Sequence, residues 1–176
     1  MKHFFILTAM FGFMLAFSAQ AGSVADFRNQ LSQTTEAYLQ IKNALVNDNA
    51  EKASENASEF LKSLKNVDAG QLAEGTKEEW QEKASIMTEQ ARQIKSAESL
   101  AEQRKAFGKL SEAVGFAAKK YGPLNTTLYR QYCPMAFNNE GGQWLSTSEE
   151  IRNPYFGSKM MKCGKVLEEF TSYNDK

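Results

Sequence analysis

The sequence predicts a mainly α-helical protein, an antiparallel four-helix bundle followed by a small appendage of loops and β-strands. Three observations predict it. Residues 22–121 contain no proline, apolar residues recur there at steps of three and four, and all three prolines follow residue 121. Four amphipathic helices with short connections must bury their apolar stripes against one another, which favours a bundle.

The chain begins with a segment typical of a secretory signal peptide. A basic start is followed by an apolar run over residues 4–17 and by the small-x-small pattern of residues 18–21. The run is shorter than the roughly 20 apolar residues that span a bilayer. We therefore predict that residues 1–21 are cleaved, that residues 22–176 form one domain, and that the protein is periplasmic or secreted with no membrane anchor after cleavage.

Composition excludes several function classes. The chain has 21 basic and 21 acidic residues, so no excess positive charge is present to hold a nucleic acid. The single histidine, His3, lies in the predicted signal peptide. Its removal excludes Ser-His and Cys-His catalysis in their usual forms and histidine-ligated metal. We expect a protein that is not an enzyme.

The first two helices follow from the positions of apolar residues. One face of the first helix would carry Val24, Phe27, Leu31, Thr34, Tyr38, Ile41 and Leu45. The Asn-Asp-Asn run at residues 47–49 then breaks the helix. The second helix is predicted over residues 50–64, and its inward face would carry Ala53, Ala57, Phe60, Leu61 and Leu64.

Two capping signals predict where the third and fourth helices begin. Thr76 with Glu79 and Ser99 with Glu102 match the capping box, in which each side chain satisfies the other residue's backbone N–H. Gly122 and the proline after it would stop the fourth helix. The inward faces would carry Trp80, Ala84, Met87, Ala91 and Ile94 in the third helix, and Leu100, Phe107, Leu110, Val114, Ala118 and Tyr121 in the fourth.

The remaining residues, 122–176, form the predicted appendage, which is rich in aromatic residues, glycine and asparagine. We predict a strand over residues 126–132, a loop at 138–142 and a strand at 143–145 that pairs back on the first. Asn153 and Pro154 begin a further turn, and Gly164 starts a final strand or tail.

Sulfur-containing side chains concentrate in this appendage. Of the four methionines outside the predicted signal peptide, three lie within three residues of a cysteine, in the motifs Cys-Pro-Met and Met-x-x-Cys-Gly. Thiolate and thioether sulfur are soft ligands that select soft ions, above all Cu(I). The predicted metal ligands are Cys133, Met135, Met160 and Cys163, and the possible additional site residues are Met161, Trp144 and Tyr132.

The same residues allow other interpretations. In an oxidising compartment, two cysteines of one domain form a disulfide more often than a metal site. A disulfide between Cys133 and Cys163 is therefore the alternative to a metal site. Closing a loop of about 30 residues would stabilise the fold by roughly 3–4 kcal/mol. Methionine also fills irregular gaps in cores. Trp144 is either a core aromatic residue or a cation–π partner for a metal ion.

Several short motifs in fixed order support the metal interpretation through a family resemblance. They are YCPMA at 132–136, NN at 138–139 with Gly141, WLS at 144–146, EIRNPYFG at 150–157, KM at 159–160 and CGKV at 163–166. The stretch from 128 to 166 resembles a domain of unknown function found in exported bacterial proteins and at the C-terminus of some copper/silver efflux membrane-fusion proteins.

This resemblance implies a helical bundle with a small C-terminal appendage, a role in handling copper or a related heavy metal, and a metal-efflux membrane-fusion protein as partner. The family's cysteines fall on Cys133 and Cys163, and its methionines fall on Met135 and Met160. Related proteins often have histidine just before the first cysteine, where this chain has Tyr132. Either metal binding is lost here or the site contains sulfur ligands only.

Overall fold

The computed structural model describes residues 23–122 and 125–171. The predicted signal peptide and Pro123 therefore lie outside the described residues. Four long helices pack in pairs, α1 with α2 and α3 with α4, and α2 also packs against α3. They are α1 (Val24–Val46), α2 (Ala50–Lys65), α3 (Glu74–Ser96) and α4 (Leu100–Tyr121). The predicted fold class is confirmed.

Within the described part of the chain, none of the helices combines the length and the apolar character that crossing a membrane requires.

The break between α1 and α2 lies at the predicted position. Asp48 adopts a left-handed backbone conformation with φ of 55°, which an acidic or amide side chain tolerates better than a branched one. Asn49 then caps α2, because its side-chain oxygen accepts a hydrogen bond of 2.8 Å from the backbone N–H of Lys52. The polar run thus ends one helix and begins the next.

The capping box predicted at Thr76 and Glu79 is wrong. Helix α3 begins earlier, at Glu74, with no side-chain hydrogen bond at its cap, and Gly75 lies inside the first turn. Glu79 instead forms an ion pair with Lys120 of α4. Glu79, which the local pattern assigned to the start of α3, is therefore paired with a residue far from it in sequence.

The second predicted box is half correct. Ser99 caps α4 by accepting a hydrogen bond of 3.3 Å from the backbone N–H of Glu102. The Glu102 carboxylate accepts from the backbone N–H of Glu98, at 3.0 Å, rather than from Ser99. At the other end α4 stops at Gly122, whose φ of 79° favours glycine, as predicted.

Aromatic rings form much of the bundle core. Phe27 meets Trp80 and Tyr121 edge to face, each with ring centroids 5.0 Å apart. Tyr38 stacks on Phe107 at 5.1 Å. The predicted inward residues of α1 are buried except for Val24, which lies in the first turn and is exposed.

The appendage is a three-stranded antiparallel sheet with the order β2-β1-β3. Its strands are β1 (Leu128–Cys133), β2 (Gly142–Ser146) and β3 (Lys165–Phe170). A short turn, α5 (Ala136–Asn139), joins β1 to β2; inside it Phe137 and Asn138 have left-handed backbone conformations, with φ of 53° and 58°. A 3-10 turn (Gly157–Lys159) lies before β3. The predicted hairpin and final strand are confirmed.

Two contacts fix the sheet on the bundle. The Tyr38 hydroxyl accepts a hydrogen bond of 3.1 Å from the backbone N–H of Leu145 and is bonded to Ser111 of α4 at 2.8 Å. The Phe137 ring lies over Gly108 of α4, where an added Cβ would be 2.6 Å from a ring carbon. Glycine at this helical position therefore permits the close approach of the appendage.

Candidate functional site

The two cysteines lie side by side. Cys133 ends β1, and Cys163 comes just before β3, the neighbouring strand. Both are free thiols whose sulfur atoms are 2.7 Å apart. A disulfide bond requires about 2.05 Å, whereas two thiolates sharing an ion with metal–sulfur bonds near 2.3 Å would stand about 3.5–4 Å apart. The observed spacing lies between these values, within a small side-chain movement of either.

The two thiols have different surroundings. Cys133 is fully buried, and Cys163 is half-buried. The hydrogen bond with Cys133, followed by burial, raises the pKa of the Cys163 thiol, and the backbone N–H of Met135 acts in the opposite direction. The thiol form of Cys163 is therefore favoured at neutral pH. A metal ion or an oxidant would have to displace its proton.

The methionines occupy the segments on either side of this pair. Met135 follows Cys133 in a turn, and 46% of its surface is exposed. Met160 is half-buried, and its carbonyl accepts a hydrogen bond of 3.3 Å from the backbone N–H of Cys163. Met161 is also half-buried. The structure thus brings the cysteines together and places Met135 at the surface in the turn that follows Cys133.

Tyr132 and Trp144 lie on opposite faces of the sheet, and only Trp144 shares the face of Cys133, because it pairs with Gln131. Tyr132 directly precedes Cys133 in β1, so its side chain points to the opposite face of the sheet, where it packs over Gly141. Trp144 is fully buried, and its indole N–H donates to Gln131 at 2.8 Å. The Trp144 ring also lies beside the backbone of Gly164, just after Cys163.

Asn153 organises the loop that carries Cys163. It is fully buried, and its side-chain amide donates a hydrogen bond of 2.8 Å to the carbonyl of Cys163. Its side-chain oxygen accepts from the backbone N–H groups of Tyr155, at 2.8 Å, and Phe156, at 3.3 Å. Its own backbone N–H donates to the carbonyl of Met161 at 2.8 Å. The sequence indicated only a turn here, because no local pattern reveals a partner ten residues away.

An ion pair anchors the same loop to the bundle. The guanidinium of Arg104, in α4, binds the Asp48 carboxylate and the carbonyls of Leu45, at 2.9 Å, and Pro154, at 2.8 Å. Asp48 also accepts a hydrogen bond of 3.0 Å from the backbone N–H of Ser158. Neither charged residue stood out in the sequence as part of the site.

This anchor predicts a loss of stability in acid. The hydrogen bonds from Ser158 and then from Arg104 lower the pKa of Asp48 from 3.8 to about 2. Because the pKa of Asp48 is lower in the folded state than in the unfolded state, its ionised carboxylate stabilises the fold fully above about pH 4. This stabilisation disappears as the pH falls towards 2. With allowance for partial exposure we expect Asp48→Asn to lower the free energy of unfolding by about 1–2 kcal/mol at pH 6.

Urea unfolding of both proteins between pH 2 and pH 7 would check this. The difference between them should shrink below about pH 4 and close towards pH 2. A difference that stays constant over the whole range would contradict an electrostatic contribution from Asp48.

Among the described residues, no histidine, aspartate or glutamate joins the two cysteines in a group that could hold a metal ion. Across residues 23–122 and 125–171, no group of three or more histidine, cysteine, aspartate or glutamate side chains could hold a metal ion. The predicted ligand set of two thiolates and two thioethers is of a different kind, since half of its ligands are methionines.

Fold and site together define a helical-bundle protein whose C-terminal sheet carries two adjacent cysteines. The chain belongs to a family of proteins of unknown function, DUF3347, whose family model matches residues 34–126, just over half of the chain. The match begins inside α1, covers the rest of the bundle and ends before β1, so residues 128–166, where the motifs of the resemblance lie, are outside it. No curated protein and no solved structure matches the sequence.

Proposed function

We propose that this protein is a non-catalytic binding protein of the periplasm or the cell exterior that holds Cu(I) or a similar soft ion. It would buffer the ion or transfer it to a metal-efflux membrane-fusion protein. The observation that supports the proposal is the contact between Cys133 and Cys163, two soft ligands that are 30 residues apart in sequence and meet at one end of the sheet.

The geometry suits exchange of the ion better than permanent storage. Cys133 is buried, Cys163 is half-buried and Met135 is exposed, so the sulfur-bearing residues extend from the interior to the surface. Thiolate and thioether are the ligands that Cu(I) prefers. Binding would release the thiol protons, and affinity would therefore increase with pH. The sulfur atoms would move about 1 Å further apart to accept the ion.

The direct test is an anaerobic titration of the reduced protein with Cu(I) in competition with a chromophoric chelator. We expect one ion per chain, and we expect replacement of both Cys133 and Cys163 by serine to weaken binding at least about 100-fold, since serine offers Cu(I) only a hard oxygen. Met135→Leu should weaken it less. Met87→Leu is the matched control, because Met87 is buried in α3 away from the sheet.

Two results would contradict the proposal. One is binding too weak to compete with the chelator. The other is an affinity that the double serine variant leaves unchanged.

A second function is favoured by the 2.7 Å contact itself, which is shorter than a shared ion requires. In that case the cysteines form a disulfide and the protein is an interaction module with no metal role. Its intact mass without reductant would be about two hydrogens lower than after reduction. Reduction would then cost the fold roughly 3–4 kcal/mol. A protein that is fully oxidised as purified and takes up no Cu(I) after gentle reduction would favour this second function.

A further inference from the structure

An open groove runs between α2 and α3, and it is independent of the sulfur pair. Its volume is about 620 Å³. Its lining is mostly apolar, through Leu61, Leu64, Val67, Trp80 and Ala84, and the polar side chains of Gln81, Ser85 and Thr88 complete it on α3. Leu64 and Trp80 also belong to the buried core, so the groove reaches down to the rigid interior of the bundle.

The charged side chains that line this groove are all basic. Lys62, Lys65 and Arg92 line it, and among the described residues no aspartate or glutamate does. Lys62 is ion-paired with Glu59 at 2.7 Å. Within residues 23–122 and 125–171 neither Lys65 nor Arg92 has a carboxylate partner. An apolar floor with two unpaired cations at the rim complements a ligand that is apolar on one side and acidic at its edge.

The shape of the groove indicates what kind of ligand fits. On α3 it extends from Trp80 to Arg92, which is about 18 Å at 1.5 Å per residue. Small-molecule sites generally enclose 70–90% of their ligand, and this groove is open along its length. An amphipathic helix of about 12 residues, laid with its apolar face on Leu61, Trp80 and Ala84 and its acidic edge towards Lys65 and Arg92, matches the length and the charge of the groove.

We propose that the α2–α3 groove binds an acidic amphipathic helix of a partner protein. A second copy of the chain is a poor match, because the apolar faces of its own helices are already buried in the core. Among the described residues, the large apolar side chains that remain exposed are Val24, Met135, Val166 and Leu167, and these do not form one helix face.

The test uses a panel of fluorescein-labelled 14-residue amphipathic peptides with leucine on one face and glutamate along its edge. Each has a partner peptide in which lysine replaces glutamate. Fluorescence anisotropy with the whole protein in low salt should show acidic peptides binding at least tenfold more tightly than their lysine counterparts. The preference should weaken in 0.5 M salt, where exposed charges are screened.

Charge-reversal variants locate the binding. Lys65→Glu with Arg92→Glu should weaken the acidic peptides at least tenfold. Lys105→Glu with Lys109→Glu, exposed residues of α4 that do not line this groove, is the matched control and should change the affinity less than twofold. Far-ultraviolet circular dichroism would verify that both variants remain folded.

Four outcomes would overturn the proposal. The first is that no acidic peptide is preferred over its lysine counterpart. The second is that the groove variant binds the acidic peptides as the unmodified protein does. The third is that oleate binds at the groove and no peptide does, which would assign it to an anionic lipid. The fourth is self-association that the Lys65 and Arg92 changes abolish, which would assign it to a second copy.

Discussion

Replacing Asn153 by alanine is expected to lower the free energy of unfolding by about 3 kcal/mol, a large loss for a single polar side chain. The Asn153 side chain makes three hydrogen bonds, to the backbones of Cys163, Tyr155 and Phe156, and it is fully buried. Each such bond contributes about 1 kcal/mol, and a buried partner left without one costs about 1–3 kcal/mol. Alanine would leave the carbonyl of Cys163 and the backbone N–H groups of Tyr155 and Phe156 without this partner.

The same substitution should change the chemistry of Cys163, because the lost bond holds that residue's carbonyl. We expect Asn153→Ala to broaden the range of Cys163 positions and therefore to weaken Cu(I) binding in addition to lowering stability. Urea unfolding measures the loss of stability, and chelator competition measures the loss of Cu(I) affinity. Asn43→Ala, at an exposed position of α1, is the control and should change stability by less than about 0.5 kcal/mol. An Asn153→Ala protein as stable as that control would contradict the structural role.

Local sequence patterns predicted the four helices because each depends on spacing within its own segment. The apolar steps that end at Leu45 and the break at Asp48 are properties of neighbouring residues, and both are confirmed. The start of α3 was predicted wrongly. The local pattern pairs Glu79 with Thr76, whereas the structure pairs it with Lys120 of α4, and no pattern within one segment reveals a partner on another helix.

The site was predictable only in part, for a similar reason. Spacing identified Cys133 and Cys163 as candidates, since sulfur residues cluster around both. That they meet depends on β3 pairing with β1 rather than with β2, and this pairing arises from the packing of the whole appendage. Asn153 and Arg104 hold the loop through backbone carbonyls, and every residue offers such a carbonyl. Hydrogen bonds to backbone carbonyls therefore cannot be predicted from the residue types that carry them.

Trp144 is the position where we expect the largest effect of all. The residue is fully buried on β2, and its ring meets Tyr155 edge to face with centroids 5.7 Å apart. Tyr155 in turn contacts Phe107 of α4 at 6.1 Å. Trp144→Ala would leave a cavity where the sheet, the Cys163 loop and the bundle meet, and truncating a buried tryptophan typically costs about 3–5 kcal/mol.

A conservative variant separates packing from hydrogen bonding. Trp144→Phe keeps an aromatic ring but leaves the side-chain oxygen of Gln131 without the indole N–H, so we expect a loss of about 1–3 kcal/mol. Thermal unfolding followed at 222 nm, which reports the helices, and in the near ultraviolet, which reports the aromatic core, would measure both variants. Coincident transitions that shift together require the appendage and the bundle to unfold as one unit, as the Trp144–Tyr155–Phe107 contacts imply. If part of the near-ultraviolet signal of Trp144→Ala, to which Trp80 of the bundle also contributes, melted first while the helices kept their normal midpoint, the sheet would be a separate unit, and the bundle would not depend on this tryptophan.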